Sequence, residues 1–136
     1  MTRSPVRALL LMGPGPWPPG WELAHELAKA DLFVLATRSR RGRASFGEGL
    51  GLVLLKAQVA GTPVVGPAYG GSRGTYFDRV AAIAPVNEWA GDLAKVLDQL
   101  LRDRARLADM GRRAAEWARK CFSLERYAPQ TVARLL

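Results

Sequence analysis

The chain has 136 residues, 49% hydrophobic and 24% charged, the balance of a single globular domain spanning 1–136 rather than of a disordered segment. It has no apolar run near the roughly 18 residues of a membrane span, and its single cysteine, Cys121, excludes a disulfide framework or a multi-cysteine metal site and points to a reducing cytoplasm. Twenty Lys and Arg against twelve Asp and Glu give a net charge of +8, which suits a polyanion (nucleic acid, an anionic membrane surface or a phosphorylated ligand), although sixteen of the twenty are Arg and a biased genome explains that equally well.

Three short apolar runs read as strands buried on both faces of a parallel sheet. They are Ala8-Leu9-Leu10-Leu11-Met12, Leu32-Phe33-Val34-Leu35-Ala36 and Pro63-Val64-Val65, with Val80 to Ala84 a weaker fourth. The first, from Val6 onward, is broken by Arg7 and runs into Gly13-Pro14-Gly15-Pro16, too short for the apolar part of a signal peptide. Between the strands, Trp21, Leu23, Ala24, Leu27 and Ala28 form a helical stripe. Leu50 to Ala60 predicts a second helix, apolar nearly all round and so expected to be buried, with Gly61 as its C-terminal cap. Strands alternating with helices imply right-handed crossovers.

The last third is helical. Asn87 is a candidate cap for a helix over Glu88 to Arg102, and a second helix runs from Arg104 to Cys121. Ser123 caps a final segment carrying Leu124, Tyr127, Ala128, Val132 and Leu135, in which Pro129 should kink or restart the helix. The expected fold is therefore α/β, an open parallel sheet of about four strands with flanking helices and a helical C-terminal tail.

Two glycine motifs fail their tests. Gly13-Pro14-Gly15 follows a strand, but the third glycine of a dinucleotide fingerprint falls on Pro18, and proline removes the donors a phosphate needs. Gly70-Gly71-Ser72-Arg73-Gly74 has the spacing of a nucleophile elbow, yet no strand leads straight into Ser72 and no histidine follows it. The one histidine, His25, lies upstream on a helix as a surface or packing residue. Arg38, Arg40, Arg41 and Arg43 crowd the loop after the second strand, at the sheet edge where ligands bind; a phosphate or acidic-lipid site and a solvated loop both remain open. Nucleic acid lacks the exposed aromatics or reader motif it usually meets.

The richest stretch is Phe46-Gly47-Glu48-Gly49-Leu50-Gly51-Leu52-Val53-Leu54-Leu55-Lys56-Ala57. Glycines at a helix start let backbone amides approach an anion. A carboxylate at that positive end, Glu48, is held charged as an acceptor for sugar hydroxyls, or simply caps a buried helix.

This run, with Ala30-Asp31-Leu32-Phe33-Val34-Leu35 before it and Ala60-Gly61-Thr62-Pro63-Val64-Val65-Gly66 and Gly70-Gly71 after it, resembles the family-four retaining glycosyltransferases of the GT-B fold. Phe122-Ser123-Leu124-Glu125-Arg126-Tyr127 is similar to that family's closing segment, so the resemblance covers about residues 6 to 128. It implies the Rossmann-like, donor-binding half of a GT-B enzyme that transfers a hexosyl group from a nucleotide-diphosphate sugar, with no cofactor and no metal ion. By the same resemblance Glu48 takes the place of the first signature glutamate and holds the donor sugar. Gly49, Leu50, Gly51 and Leu52 offer amides to sugar and diphosphate, and Gly70 and Gly71 match the glycine pair facing the donor. The second signature position, a glutamate that accepts from the ribose hydroxyls, is Lys56. Lysine only donates, so it reaches a phosphate or loses the contact. Gly74 replaces an acidic residue often found after the glycine pair.

The segment that supplies the family's diphosphate-neutralising Arg and Lys, and the acceptor domain, are not matched in the sequence. The expectation is a donor-side portion, incomplete alone, whose apolar C-terminal face is covered by a missing acceptor-domain partner or by self-association. The alternative is a non-catalytic Rossmann-like module that binds a protein partner or an anionic surface, including a peripheral membrane contact, through its arginines.

Overall fold

The computed structural model describes residues 5–10, 18–36, 51–66, 74–75, 82–83 and 90–135. Strand β1 (Ala8–Leu10) leads to helix α1 (Gly20–Lys29), β2 (Leu32–Val34), α2 (Leu52–Val59), β3 (Val64–Val65) and β4 (Ala82–Ile83). Helices α3 (Ala90–Leu101), α4 (Arg104–Phe122) and α5 (Leu124–Leu135) complete the described chain. The strands form one parallel sheet in the order β1-β2-β3-β4, with Ala8 opposite Leu32, Phe33 opposite Val64 and Val64 opposite Ala82. The predicted α/β architecture is observed, with four short strands among the described residues.

Both faces of the sheet are covered, and the pleat explains how. Successive side chains on a strand leave opposite faces. Phe33 and Val64 close a buried cluster with Leu27 of α1 and with Leu54 and Ala57 of α2. Leu32, Val34 and Val65 point the other way, onto Leu100 of α3 and Leu107 and Met110 of α4. A strand buried on both sides has no polar face to show, hence the unbroken run Leu32-Phe33-Val34. The crossovers through α1 and α2 step in the same direction along the sheet, so a common right-handed sense puts both helices on one face.

The amino edge of the sheet is tightly closed. Gly61 turns the chain out of α2 at φ 86°, a left-handed conformation that suits glycine. The next residue, Thr62, is buried and donates its hydroxyl to the Leu27 carbonyl at 2.6 Å, tying β3 to the end of α1. Helix α4 passes from the second face across this edge to the end of α2, where Arg119 donates to the Val59 carbonyl at 3.0 Å. Its closest approach is at Gly111, where a Cβ would lie 2.1 Å from the Gly61 carbonyl oxygen and 3.1 Å from Pro63 Cδ. Buried Ala114, Ala115 and Ala118 continue the small-residue face.

Caps set the helix ends in the last third. Asp103 accepts from the Arg106 amide at 2.9 Å and starts α4. Ser123 ends α4 in an extended conformation, and its carbonyl accepts from the Arg126 and Tyr127 amides at 3.2 and 3.1 Å, so it caps α5 as predicted. The Glu125 carboxylate is held below the usual range by a hydrogen bond from its own backbone and by the Ser123 hydroxyl. Across the junction Phe122 meets Trp117 edge-on, with ring centroids 5.3 Å apart, and stacks on Tyr127 at 5.8 Å. The predicted cap Asn87 lies outside the described residues.

Two expectations are corrected. Helix α2 is not buried all round: Leu54, Ala57 and Gln58 form the inner stripe, while Leu52 is 57% and Val59 40% exposed. An aliphatic residue at nearly every position carries no period to tell the faces apart; Lys56, exposed between those two, marks the outer one. Pro129 does not restart the last helix either, since α5 runs unbroken from Leu124 to Leu135. Proline removes one amide donor, facing the carbonyl four residues back, and on this exposed helix that carbonyl is open to solvent.

Candidate functional site

In an open parallel sheet the ligand crevice lies beyond the carboxyl ends of the strands. Here those ends are at Leu35 and Ala36 after β2 and at Gly66 after β3, and α2 starts on the same side. Gly51 occupies its N-cap position, buried, at φ 69° and ψ 46°. An L-residue is disfavoured in that left-handed conformation, whereas glycine adopts it freely. The Gly51 carbonyl accepts from the amides of Leu54 and Leu55, at 2.9 and 3.4 Å, and closes the first turn.

Gly51 has no side chain to give, and the cap carries no side-chain hydrogen bond. The first amides of any helix lack intrahelical acceptors, and they sit at the positive end of its dipole. With no acidic side chain in the first turn of α2, that end is suited to an external anion. Leu52 and Lys56 stand one turn apart on the exposed stripe.

Of the residues singled out in the sequence, the described part holds Gly51 at the N-cap of α2, Leu52 in its first turn and Lys56 in its last turn. Glu48, Gly49, Leu50, Gly70 and Gly71 lie outside the described residues, as does the arginine cluster between Arg38 and Arg43. Gly74 is exposed and the adjoining Thr75 fully buried. His25 is exposed on α1. Among the described residues no three His, Cys, Asp or Glu side chains gather into a metal-ligand set, and no described helix is long and apolar enough to cross a membrane.

Two residues not singled out in the sequence matter here. Gln58, fully buried, donates from its side-chain amide to the Leu54 carbonyl at 3.1 Å and to the Thr75 carbonyl. A glutamine directly after Lys56-Ala57 in an otherwise aliphatic helix was the available signal. Gly111 showed none, because its role depends wholly on a contact with a distant turn. A cleft of about 320 Å³, lined in part by Asp31, Gly61, Pro63, Arg104 and Leu107, opens at the amino edge, the opposite side from Gly51. It belongs to the seam between α4 and the sheet rather than to the anion-attracting helix end.

Comparison with known proteins bears on the family and the fold. Residues 18–117 match the profile of the family described as glycosyl transferases group 1. The chain is 39% identical over 94 residues to a D-inositol 3-phosphate glycosyltransferase of Arthrobacter sp. strain FB24, an overlap of 69% of this chain and 20% of that protein. It is 34% identical over 96 residues to a GDP-mannose-dependent alpha-(1-6)-phosphatidylinositol monomannoside mannosyltransferase of Mycobacterium tuberculosis, covering 71% and 25%. Among solved structures, sucrose-phosphate synthase from Thermosynechococcus elongatus superposes with a TM-score of 0.71 at 26% identity, over 84% of this chain and 27% of that one. The chain therefore spans a fifth to a quarter of the length of these curated relatives.

Proposed function

This chain belongs to the group 1 glycosyl transferases, and from that premise we propose that it is the nucleotide-sugar donor-binding portion of a retaining glycosyltransferase, moving a hexosyl group from a nucleoside-diphosphate sugar to an acceptor. The observation that carries the reading is the left-handed Gly51 cap, which opens α2 at the carboxyl edge of the sheet without a side-chain cap. Transfer breaks the bond between the anomeric carbon and the diphosphate, whose oxygen leaves with negative charge. Donors fixed in advance at that position lower the barrier. In this reading the first-turn amides of α2, from Gly51 and Leu52, face the diphosphate together with those of Gly49 and Leu50. Glu48 accepts from the donor sugar, and Gly70 and Gly71 line the other side. No metal ion takes part, and the protein works in the cytoplasm.

Transfer needs an acceptor-binding part as well. The exposed apolar residues of α5, Leu124, Tyr127 and Val132, are the face it or a second copy would cover. The donor site is tested by thermal unfolding with UDP, GDP, ADP and TDP at low and moderate salt. A ligand at about 100 times its Kd stabilises by about 2.7 kcal/mol, so one nucleotide should raise the midpoint in a salt-tolerant way. Glu48→Ala should abolish only the extra shift given by the attached sugar. No shift with any of the four would sink the donor-site reading.

One observation favours a second reading, a non-catalytic module docking on a partner or an anionic surface. Lys56 is an exposed cation at the position where the resemblance expects a ribose-binding carboxylate. Loss of all nucleotide binding together with retained, steeply salt-dependent binding to anionic vesicles would select it.

A further inference from the structure

The buried glutamine of α2 is a poor choice for packing alone. Gln58 is fully buried between the aliphatic core and Thr75. Methionine or leucine would fill such a space without a polar group to satisfy. What glutamine adds is direction. Its bond to the Leu54 carbonyl, one turn back, aligns the side chain along the helix, and its second donor reaches the Thr75 carbonyl, 17 residues further along the chain. Thr75 is itself fully buried, so the tie is shielded from competing water.

We propose that Gln58 is a positioning residue for the donor site, holding the chain that follows β3 in fixed relation to the start of α2. The inference rests on the donor-site reading above. Gln58 stands about 9 Å along the helix axis from Leu52, at 1.5 Å per residue. Gly71 precedes Thr75 by four residues, a reach of at most about 14 Å. In the donor-site reading, this buried amide ties α2 to a residue four positions after the Gly70-Gly71 pair. A donor bound by both segments loses affinity when either can drift, because the ordering must then be supplied on binding.

The test uses the full chain with Gln58→Met, which keeps volume and flexibility but removes both donors, and with Leu107→Ala as a control on the far face of the sheet. Hydrogen exchange is followed in the peptide containing Gly74 and Thr75 and in α4. The Kd of whichever of UDP, GDP, ADP or TDP stabilises the parent chain is measured by calorimetry at a temperature where every variant is folded. Gln58→Met should raise exchange around Thr75 and leave α4 unchanged, while weakening the nucleotide about tenfold. Leu107→Ala should lower the melting midpoint with the Kd unaltered, a separation that a merely structural role for Gln58 would not produce. Parent-like exchange around Thr75, or parent-like affinity, in Gln58→Met overturns the positioning role and leaves the donor site standing. A parent chain that binds none of the four nucleotides removes the donor site and the positioning role together. Should Gln58→Met fail to fold, Gln58→Leu replaces it; failure of both overturns the proposal, since the bond is then a requirement of the fold rather than of the site.

Discussion

The two edges of the sheet are built on opposite plans. At the amino edge each described backbone turn is locked by a partner. The Asp31 carboxylate takes the Arg7 amide at 2.9 Å, Thr62 reaches Leu27, Arg119 reaches Val59, and Gly111 lets α4 touch the Gly61 turn. At the carboxyl edge the start of α2 rests on a glycine with no side chain, and the cap carries no side-chain hydrogen bond. A glycine serves both edges, for different reasons. Gly111 is needed for the space a Cβ would occupy, Gly51 for a backbone angle. The amino edge is closed by these ties, and the carboxyl edge is where the donor site is proposed.

This contrast is most directly broken at Gly111. Alanine is normally the better helix former by about 1 kcal/mol, yet its Cβ would meet the Gly61 carbonyl oxygen, a backbone atom that cannot swing aside. Gly111→Ala should therefore cost about 3 kcal/mol, the upper range of overpacking, in urea unfolding. Gly91→Ala in α3, with open space around it, should be neutral or slightly stabilising. Equal effects from the two would show that the α4 seam is looser than described.

Gly51 sharpens the other side. Gly51→Ala puts a Cβ on a left-handed residue, which costs about 1–2 kcal/mol, less than the Gly111 change. It should also reduce nucleotide affinity, whereas Gly111→Ala, measured where it is folded, should not. A Gly51→Ala chain that binds nucleotide as the parent does would separate the left-handed cap from the ligand.

The smallest effect lies far from both edges, at Glu125. Its folded pKa is depressed by its own backbone amide and by the Ser123 hydroxyl, so the carboxylate stabilises the fold at neutral pH. That contribution is lost as pH falls through the folded value. Melting midpoints of the parent and of Glu125→Gln should therefore differ slightly at pH 7 and converge in acid. Curves that stay parallel would remove Glu125 from the α5 cap. The guanidinium of Arg102, hydrogen-bonded and ion-paired with Asp98 at 2.8 Å, is pushed upward instead and so stays charged throughout that range.

Much of this arrangement was legible in the sequence, because its signals are local. The runs Leu32-Phe33-Val34 and Pro63-Val64-Val65 marked strands buried on two faces, and Gly61 marked the end of α2. Ser123 marked the boundary between the last two helices. What stayed hidden depends on partners distant in sequence. The exposed side of α2 could not be told from its core side without knowing what packs on it. Gly111 looked like a weak point in a helix until the Gly61 turn was placed against it, and Gln58 has meaning only through Thr75. The candidate site was legible as glycine spacing around Glu48. Of the residues it names, Gly51, Leu52 and Lys56 are among those described, the first two at the start of α2 and Lys56 in its last turn.

Strand order that equals chain order also governs how such a chain assembles. Each strand pairs with one laid down roughly 20–30 residues before it, so every closure is of moderate length. No strand must be inserted between two that are already joined. The described sheet can accrete one unit at a time in chain order, and α4, which clasps its amino edge, follows all four of those strands. Contacts made last are largely absent from the transition state, and weakening them accelerates unfolding more than it slows folding. If α4 docks after the strands are paired, the clasp at Gly111 acts as a latch, and Gly111→Ala should accelerate unfolding more than it slows folding.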